Sequence, residues 1–386
     1  MFNFTALPPL SLYIHVPWCV RKCPYCDFNS HKASDTLPEF AYVDALLADL
    51  AQELPLVWGR TIQTIFIGGG TPSLFSAEAY DRLFSGLRAL LPIKADAEIT
   101  MEANPGTFEA ARFRDYRQLG INRLSIGIQS FNNSALERLG RIHNGNEAEK
   151  AVAIAYEAGF ENVNLDLMFG LPGQTEKEAI ADIETAIALQ PQHISYYQLT
   201  IEPNTLFYQQ PPTLPDDDPI IDWQEANQAR LAEAGYLQYE VSAYAKKGKQ
   251  CRHNLNYWQF GDYLGIGAGA HGKISDAAQQ SIVRRVKQKQ PQAYLETAHS
   301  DKVLLKTEVL KTRDIGFEFM LNALRLTNGF PTPLFQQHTG VPLKHFDNAL
   351  QQAEALDLLT YDIQQIRPTN QGKRYLNTLI ELFLPE

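Results

Sequence analysis

At 386 residues the chain has material for one large domain and a smaller one, each with a core of its own. A formal net charge of -10 argues against a dedicated nucleic-acid backbone binder, and the apolar and charged shares (45% and 20%) are those of a soluble globular protein. Residues 1–10 show no basic segment leading into a long apolar core, and no run is long enough to cross a bilayer, so a cytoplasmic protein with reduced cysteines is expected.

The first predicted element is a buried strand over Leu12–Val16. It runs directly into Cys19-x3-Cys23-x2-Cys26, which holds three of the four cysteines. Three thiolates on one tight loop can hold three corners of an iron–sulfur cube, since such clusters are held by cysteine sulfur. The fourth iron would stay open to another ligand. Zinc competes with this reading: a structural zinc wants four protein ligands, and His15 or His31 could supply the fourth. Disulfides are not expected, because three cysteines within eight residues cannot pair off and nothing suggests export.

Five more β-branched, apolar runs follow: Thr64–Ile67, Glu98–Glu102, Arg123–Ile128, Asn162–Phe169 and His193–Leu199. Helix-patterned stretches separate them, at Phe40–Leu54, Ala77–Leu91, Glu109–Leu119, Glu147–Ala158 and Glu176–Leu189. Strands alternating with helices predict a parallel sheet with helices on its outer face and right-handed crossovers. Periodicity does not choose between an open sheet and part of a barrel. In barrels the chemistry sits at the carboxyl ends of the strands, and the unusual residues fall there.

Strand two ends in Gly68-Gly-Gly-Thr-Pro-Ser73, where the lack of Cβ atoms lets backbone approach a ligand; a plain turn before a helix capped by Ser76 is the alternative. Strand three ends at Glu102, a carboxylate able to accept two hydrogen bonds, as from ribose hydroxyls. Strand four offers the amide of Gln129, and Arg141 beyond it is a forked donor for a carboxylate or an ordinary surface arginine. Asp166 interrupts an apolar strand, which is costly unless it faces a polar cavity. The loop Gly170–Thr175 is expected to line the same pocket, against an adenine ring.

Further on, Arg252-His-Asn-Leu-Asn-Tyr-Trp258 places an imidazole beside two aromatics. His253 is suited to heme iron, and Tyr257 and Trp258 to a porphyrin face. The alternative is a turn whose aromatic pair plugs the barrel while His253 is merely hydrogen-bonded. Cys251 is a competing soft ligand. Gly265-Ile-Gly-Ala-Gly-Ala-His-Gly272 superficially suits a dinucleotide fingerprint, but no βαβ unit follows, so a loop folding back toward the barrel mouth is expected, with His271 facing the cavity in a structural role. Residues 273–307 are polar and read as a solvated strand or loop connecting to a C-terminal part, 308–386. That part is patterned as helices Val309–Leu326, Pro333–Thr339 and Leu343–Leu356, strands Leu358–Tyr361 and Ile363–Pro368, and a closing helix Asn370–Phe383. The order is that of a winged helix, although the acidic balance favours a protein contact or substrate lid over DNA.

The ordered motifs resemble those of the oxygen-independent coproporphyrinogen dehydrogenase group of radical S-adenosylmethionine (SAM) proteins. The resemblance implies an α/β fold with a (β/α)6 partial TIM-like barrel over residues 1–272 and the winged-helix-like C-terminal domain. It implies a [4Fe–4S] cluster on Cys19, Cys23 and Cys26, and SAM held near Tyr13, Tyr25, Gly69, Gly70, Thr71, Glu102, Gln129, Arg141, Asp166 and Thr200. Members that oxidatively decarboxylate coproporphyrinogen III carry a further cysteine two residues after the third ligand, and here that place is Phe28. They also have a long N-terminal extension, whereas eighteen residues precede Cys19 here. The His253–Trp258 element is similar to that of the HemW branch, regarded as heme chaperones. That branch implies bound heme, through His253, Tyr257 and Trp258, and a heme-acceptor protein as partner; no nucleic acid is implied. The dehydrogenase and a non-catalytic, metal-stabilised interaction protein are the alternatives. Productive SAM cleavage is left open, as are a dimer covering the cluster loop and transient membrane contact.

Overall fold

The computed structural model describes residues 2–34, 36–106 and 111–385. Six parallel strands lie side by side in chain order: β1 (Leu10–Val16), β2 (Ile62–Gly69), β3 (Ile93–Ala103), β4 (Arg123–Gln129), β5 (Val163–Phe169) and β6 (His193–Gln198). The helices between them include Glu39–Glu53, Ala77–Leu90, Gly145–Glu157 and Glu176–Ala188, each within two residues of its expected bounds. The last three start at polar caps. Ser76 accepts from the Ala79 amide, and Asn144/Glu147 and Thr175/Glu178 form reciprocal capping boxes. Of the expected helix Glu109–Leu119, the described part is Phe113–Gln118; its first two residues lie outside the described residues.

Period two sorts each strand into two faces. On β1, Leu10, Leu12, Ile14 and Val16 belong to the main apolar core together with Tyr42, Val43, Leu46 and Leu50 of the first helix. Ser11, Tyr13 and His15 point the opposite way, into the barrel, where the Thr64 hydroxyl donates to Ser11 Oγ at 2.8 Å.

The barrel stays open, and the sheet continues at both ends. Beyond β6 come β8 (Ala243–Ala245) and β7 (Leu237–Glu240), both antiparallel to their neighbours. On the other side β9 (Asp262–Ile266) pairs parallel with β1, followed by antiparallel β10 (His271–Asp276), β11 (Ser281–Lys287) and β12 (Leu304–Val309). Residues 273–307 therefore contribute strands on both sides of a short helix, Pro291–Thr297, and some of their charge is buried rather than solvated. Lys287, 2% exposed at its side chain, sits 2.5 Å from both Asp49 and Glu53 of the first helix. Two carboxylates waiting on that helix draw the ammonium inside. Val309 likewise ends a strand, and the helix expected from it begins at Ile315.

A second apolar cluster gathers Phe319, Phe330, Phe335, Leu350, Leu359, Ile366 and Leu379 with Phe2 and Phe4. It joins helices Ile315–Ala323, Thr332–Thr339 and Asp347–Ala355 to a three-stranded sheet made of Phe330–Pro331, Leu359–Tyr361 and Gln365–Pro368. The closing helix is broken in two, Asn370–Arg374 and Leu376–Glu381. No described helix is long and apolar enough to cross a membrane.

Candidate functional site

The loop after β1 carries Cys19, Cys23 and Cys26 over the carboxyl ends of the strands. All three are unpaired thiols lining one cavity of about 340 Å³. Its walls include Tyr25, Gly69, Gly70, Thr71, Glu102, Gln129, Arg141 and Asp166. Burial pushes the Cys19 thiol up to about 11 and raises Cys26, and the neighbouring thiols add to both. Thiols that resist ionisation alone, as those of Cys19 and Cys26 do, are suited to a multiply charged metal centre, which deprotonates them on binding. Zinc fits less well. His15 has Nδ1 bonded to the Tyr13 hydroxyl and Nε2 to the Asn29 carbonyl, both at 2.8 Å, and His31 is bonded to Asn29. Among the described residues no three Cys, His, Asp or Glu side chains converge on a single ion. A cube that gives each thiolate its own iron suits this spread of donors.

Each wall residue is held in place. Gly69 has φ +118° and donates its N–H to Glu102 Oε2 at 2.9 Å; a Cβ there would lie 2.5 Å from His15 Cε1. No other residue fits that position. Burial raises the Glu102 carboxyl from 4.5 to about 7, against the pull of the Gly69 bond. Gln129 ends β4 with φ +70°, its amide oxygen accepting from the Tyr197 hydroxyl at 2.7 Å. Arg141 donates to the Gly127 carbonyl and Asn104 Oδ1 at 2.7 and 2.8 Å, and reaches Cys23 Sγ at 3.4 Å. Asp166 accepts from Ser125 and Asn164 at 2.9 and 2.7 Å.

Three expected positions fall elsewhere. Tyr13 lines the neighbouring cavity described below. Thr200 is exposed and lines neither cavity, because β6 ends at Gln198 and Leu199 turns into a satellite apolar cluster instead. The loop Gly170–Thr175 also stays clear of the cysteines. Its Pro172, Gly173 and Gln174 lie in a separate groove with Arg138, Pro212 and Leu214.

Other lining residues were not singled out from the sequence. Arg123, Ser125 and Gly127 line the cysteine cavity beside Gln129, as do Asn164 beside Asp166 on β5 and Ser195 and Tyr197 on β6. The signal was available: once Asp166 and Gln129 are taken to face inward, residues two and four before them face inward too. A register shift between Gly127 and Gln129 does not disturb this.

A second cavity of about 720 Å³ adjoins the first, sharing Phe28, Gly69, Glu102 and Trp258 with it. It runs along the inner face of β9 and β10, beside helix Arg252–Trp258, with Tyr257, Tyr263 and His271 in its wall. Here His253 departs from the heme-ligand expectation. It is 1% exposed, with Nδ1 2.8 Å from Thr64 Oγ1 and Nε2 3.0 Å from the Tyr257 hydroxyl. Its backbone N–H donates to Glu98, and burial followed by the Arg123 charge lowers the ring to about 3. Both nitrogens are spent holding the helix inside the barrel, so neither is open to iron. Cys251 is fully buried against Glu98, its thiol pushed up to about 12 by burial, and is equally out of reach.

A partial barrel with a three-cysteine loop at its mouth and a glycine–carboxylate pair beside it defines a radical SAM protein. The Radical SAM superfamily model matches residues 13–186, and that of the HemN C-terminal domain matches 310–375. Among curated proteins, those named heme chaperone HemW are similar over nearly their whole length. The Escherichia coli protein is 51% identical over 380 residues, covering 98% of this chain and 99% of that one. The Haemophilus influenzae protein is 49% identical over 384 residues, with 98% and 99% covered. The Bacillus subtilis protein is 34% identical over 383 residues, with 97% and 99% covered. The chain belongs to the HemW heme chaperone family. Its fold is also that of the radical SAM enzyme coproporphyrinogen III oxidase (HemN) from Escherichia coli, at a TM-score of 0.82 and 24% identity, covering 98% of this chain and 90% of that one.

Proposed function

We propose that this chain is a cytoplasmic heme chaperone that carries a [4Fe–4S] cluster and SAM and passes heme to an acceptor protein. Cys19, Cys23 and Cys26 would hold the cluster, and Gly69, Gly70, Thr71, Glu102, Gln129, Arg141 and Asp166 would hold SAM, with Tyr25 beside the cysteines. When bound, the cluster supplies the electron that splits SAM to a carbon radical. The protein's own part is positional: Glu102 accepts hydroxyl protons, Arg141 meets a carboxylate as a fork, and Asp166 is kept oriented by Ser125 and Asn164. The observation that carries the reading is the wall shared by the cysteine cavity and a larger one of about 720 Å³, which supports SAM in the first beside heme in the second. Phe28, where decarboxylating members have a cysteine, favours cargo over a porphyrinogen to be oxidised.

Val20 and Phe28 on the cluster loop are 47% and 60% exposed, which suits a second subunit or a membrane surface covering the loop when heme changes hands. The test is one anaerobic absorption series on reconstituted protein, before and after hemin, with iron and sulfide analysis. Cluster bands, a SAM-sensitive reduced cluster and saturable hemin uptake are expected. Protein with no inorganic sulfide, or with no hemin uptake, would refute the corresponding half of the proposal.

A further inference from the structure

Denying His253 to iron leaves the question of which residue would hold a heme, and the larger cavity contains one candidate of the right chemistry. We infer that His271 is the iron ligand for heme in that cavity, with Lys22 and Lys289 at the rim receiving the propionates. This rests on the heme-chaperone reading and deepens it.

Iron needs a nitrogen lone pair facing open space. His271, at the first position of β10, is exposed on the cavity wall, and neither ring nitrogen has a hydrogen-bond partner among the described residues. The other cavity histidine, His15, has both nitrogens occupied. The strand pairing of His271 with Val286 fixes its backbone, so the imidazole is presented from a rigid element and not from a loop.

The surroundings suit a porphyrin. At about 720 Å³ the space falls within the range of cofactor pockets, roughly 300–1,000 Å³. Tyr257 and Tyr263 meet edge-to-face with ring centroids 4.6 Å apart, and Phe28 stands 60% exposed at the rim, giving flat apolar surface to a macrocycle. Lys22 and Lys289 stand at the same mouth with no carboxylate partner among the described residues, Lys22 donating only to the Phe28 carbonyl at 3.2 Å, so propionates could reach both while remaining in water. Arg284 and Lys273, deeper in the wall, are already committed to Glu318 and Asp262.

The experiment titrates hemin into cluster-loaded wild type, His271→Ala and His253→Gln, read by absorption difference spectra and by electron paramagnetic resonance of the ferric heme. His271→Ala should lose the imidazole-ligated signature and bind at least about tenfold more weakly, since even indirect ligand supports cost about 10–100-fold in metal affinity. Added imidazole should restore the signature in His271→Ala. The His253→Gln variant should keep it. Wild-type binding with an unchanged spectrum in His271→Ala would overturn this assignment alone, as would loss of the signature in His253→Gln with retention in His271→Ala. A wild type that takes up no hemin would instead overturn the heme-chaperone reading, and this assignment with it.

Discussion

Replacing Glu102 by glutamine separates two consequences of its burial. The carboxyl accepts the Gly69 N–H at 2.9 Å, and its pKa stands at about 7 instead of 4.5, chiefly through burial and further through the Asp166 charge. About nine-tenths of it is therefore ionised at pH 8 and about a tenth at pH 6. A ribose that donates both hydroxyls to the ionised form should bind roughly tenfold more weakly at pH 6 than at pH 8. Isothermal titration of SAM into anaerobically reconstituted wild type should show that step, and Glu102→Gln should bind weakly with no step. Stability moves the opposite way. A carboxyl whose folded pKa is raised contributes stability that is present below 4.5 and lost as pH rises through about 7. At about 1.4 kcal/mol per tenfold change in proton affinity, the loss is at most about 3 kcal/mol, a ceiling because cavity water reaches this half-buried group. Glutamine keeps the Gly69 bond and sheds the charge, so Glu102→Gln should outlast wild type in denaturant at pH 8 and match it at pH 4.5. A SAM affinity that is flat from pH 6 to 8, or a glutamine variant less stable at pH 8, would refute the reasoning.

Gly69→Ala should fold less stably and bind SAM poorly, because its φ of +118° disfavours any side chain and the new Cβ would lie 2.5 Å from His15 Cε1. Strain of about 1–3 kcal/mol is expected in urea melts, and unchanged melting would remove His15 packing from the account. Lys287→Ala should cost about 3–5 kcal/mol, since it leaves Asp49 buried without a cation and Glu53 with Arg285 alone. The same melts check it, and a loss under 1 kcal/mol would mean that water enters beside the first helix.

Much of the barrel was legible because its strands are β-branched runs and the helices from Ala77, Gly145 and Glu176 begin at polar caps. The cysteine loop was legible because its spacing lies in one contiguous stretch. What escaped depends on partners far away in sequence. Lys287 reads as a surface residue until Asp49 and Glu53 are seen to face it across the sheet edge. His253 looks like a ligand until Thr64 and Tyr257 are found on its two nitrogens. Thr200 lies two residues beyond a strand whose inward position is Tyr197, and only the end of pairing at Gln198 decides that. Arg123 is the instructive omission. Read as the polar first residue of a strand, it is 2% exposed and lines the cysteine cavity.

The parallel pairing of β9 with β1 imposes an order of events on biosynthesis. Asn29, closing the cysteine loop, donates to the carbonyls of Ala268 and Lys289, 239 and 260 residues later in the chain. A ribosome delivers the three thiols long before the backbone that anchors their loop, and contacts so distant in sequence form late. The proposed cluster would thus meet a slack nascent loop, whereas the chamber bounded by Gly269 and His271 does not exist until translation has passed them. If the chain works as proposed, this topology predicts that the cluster is loaded before the cargo.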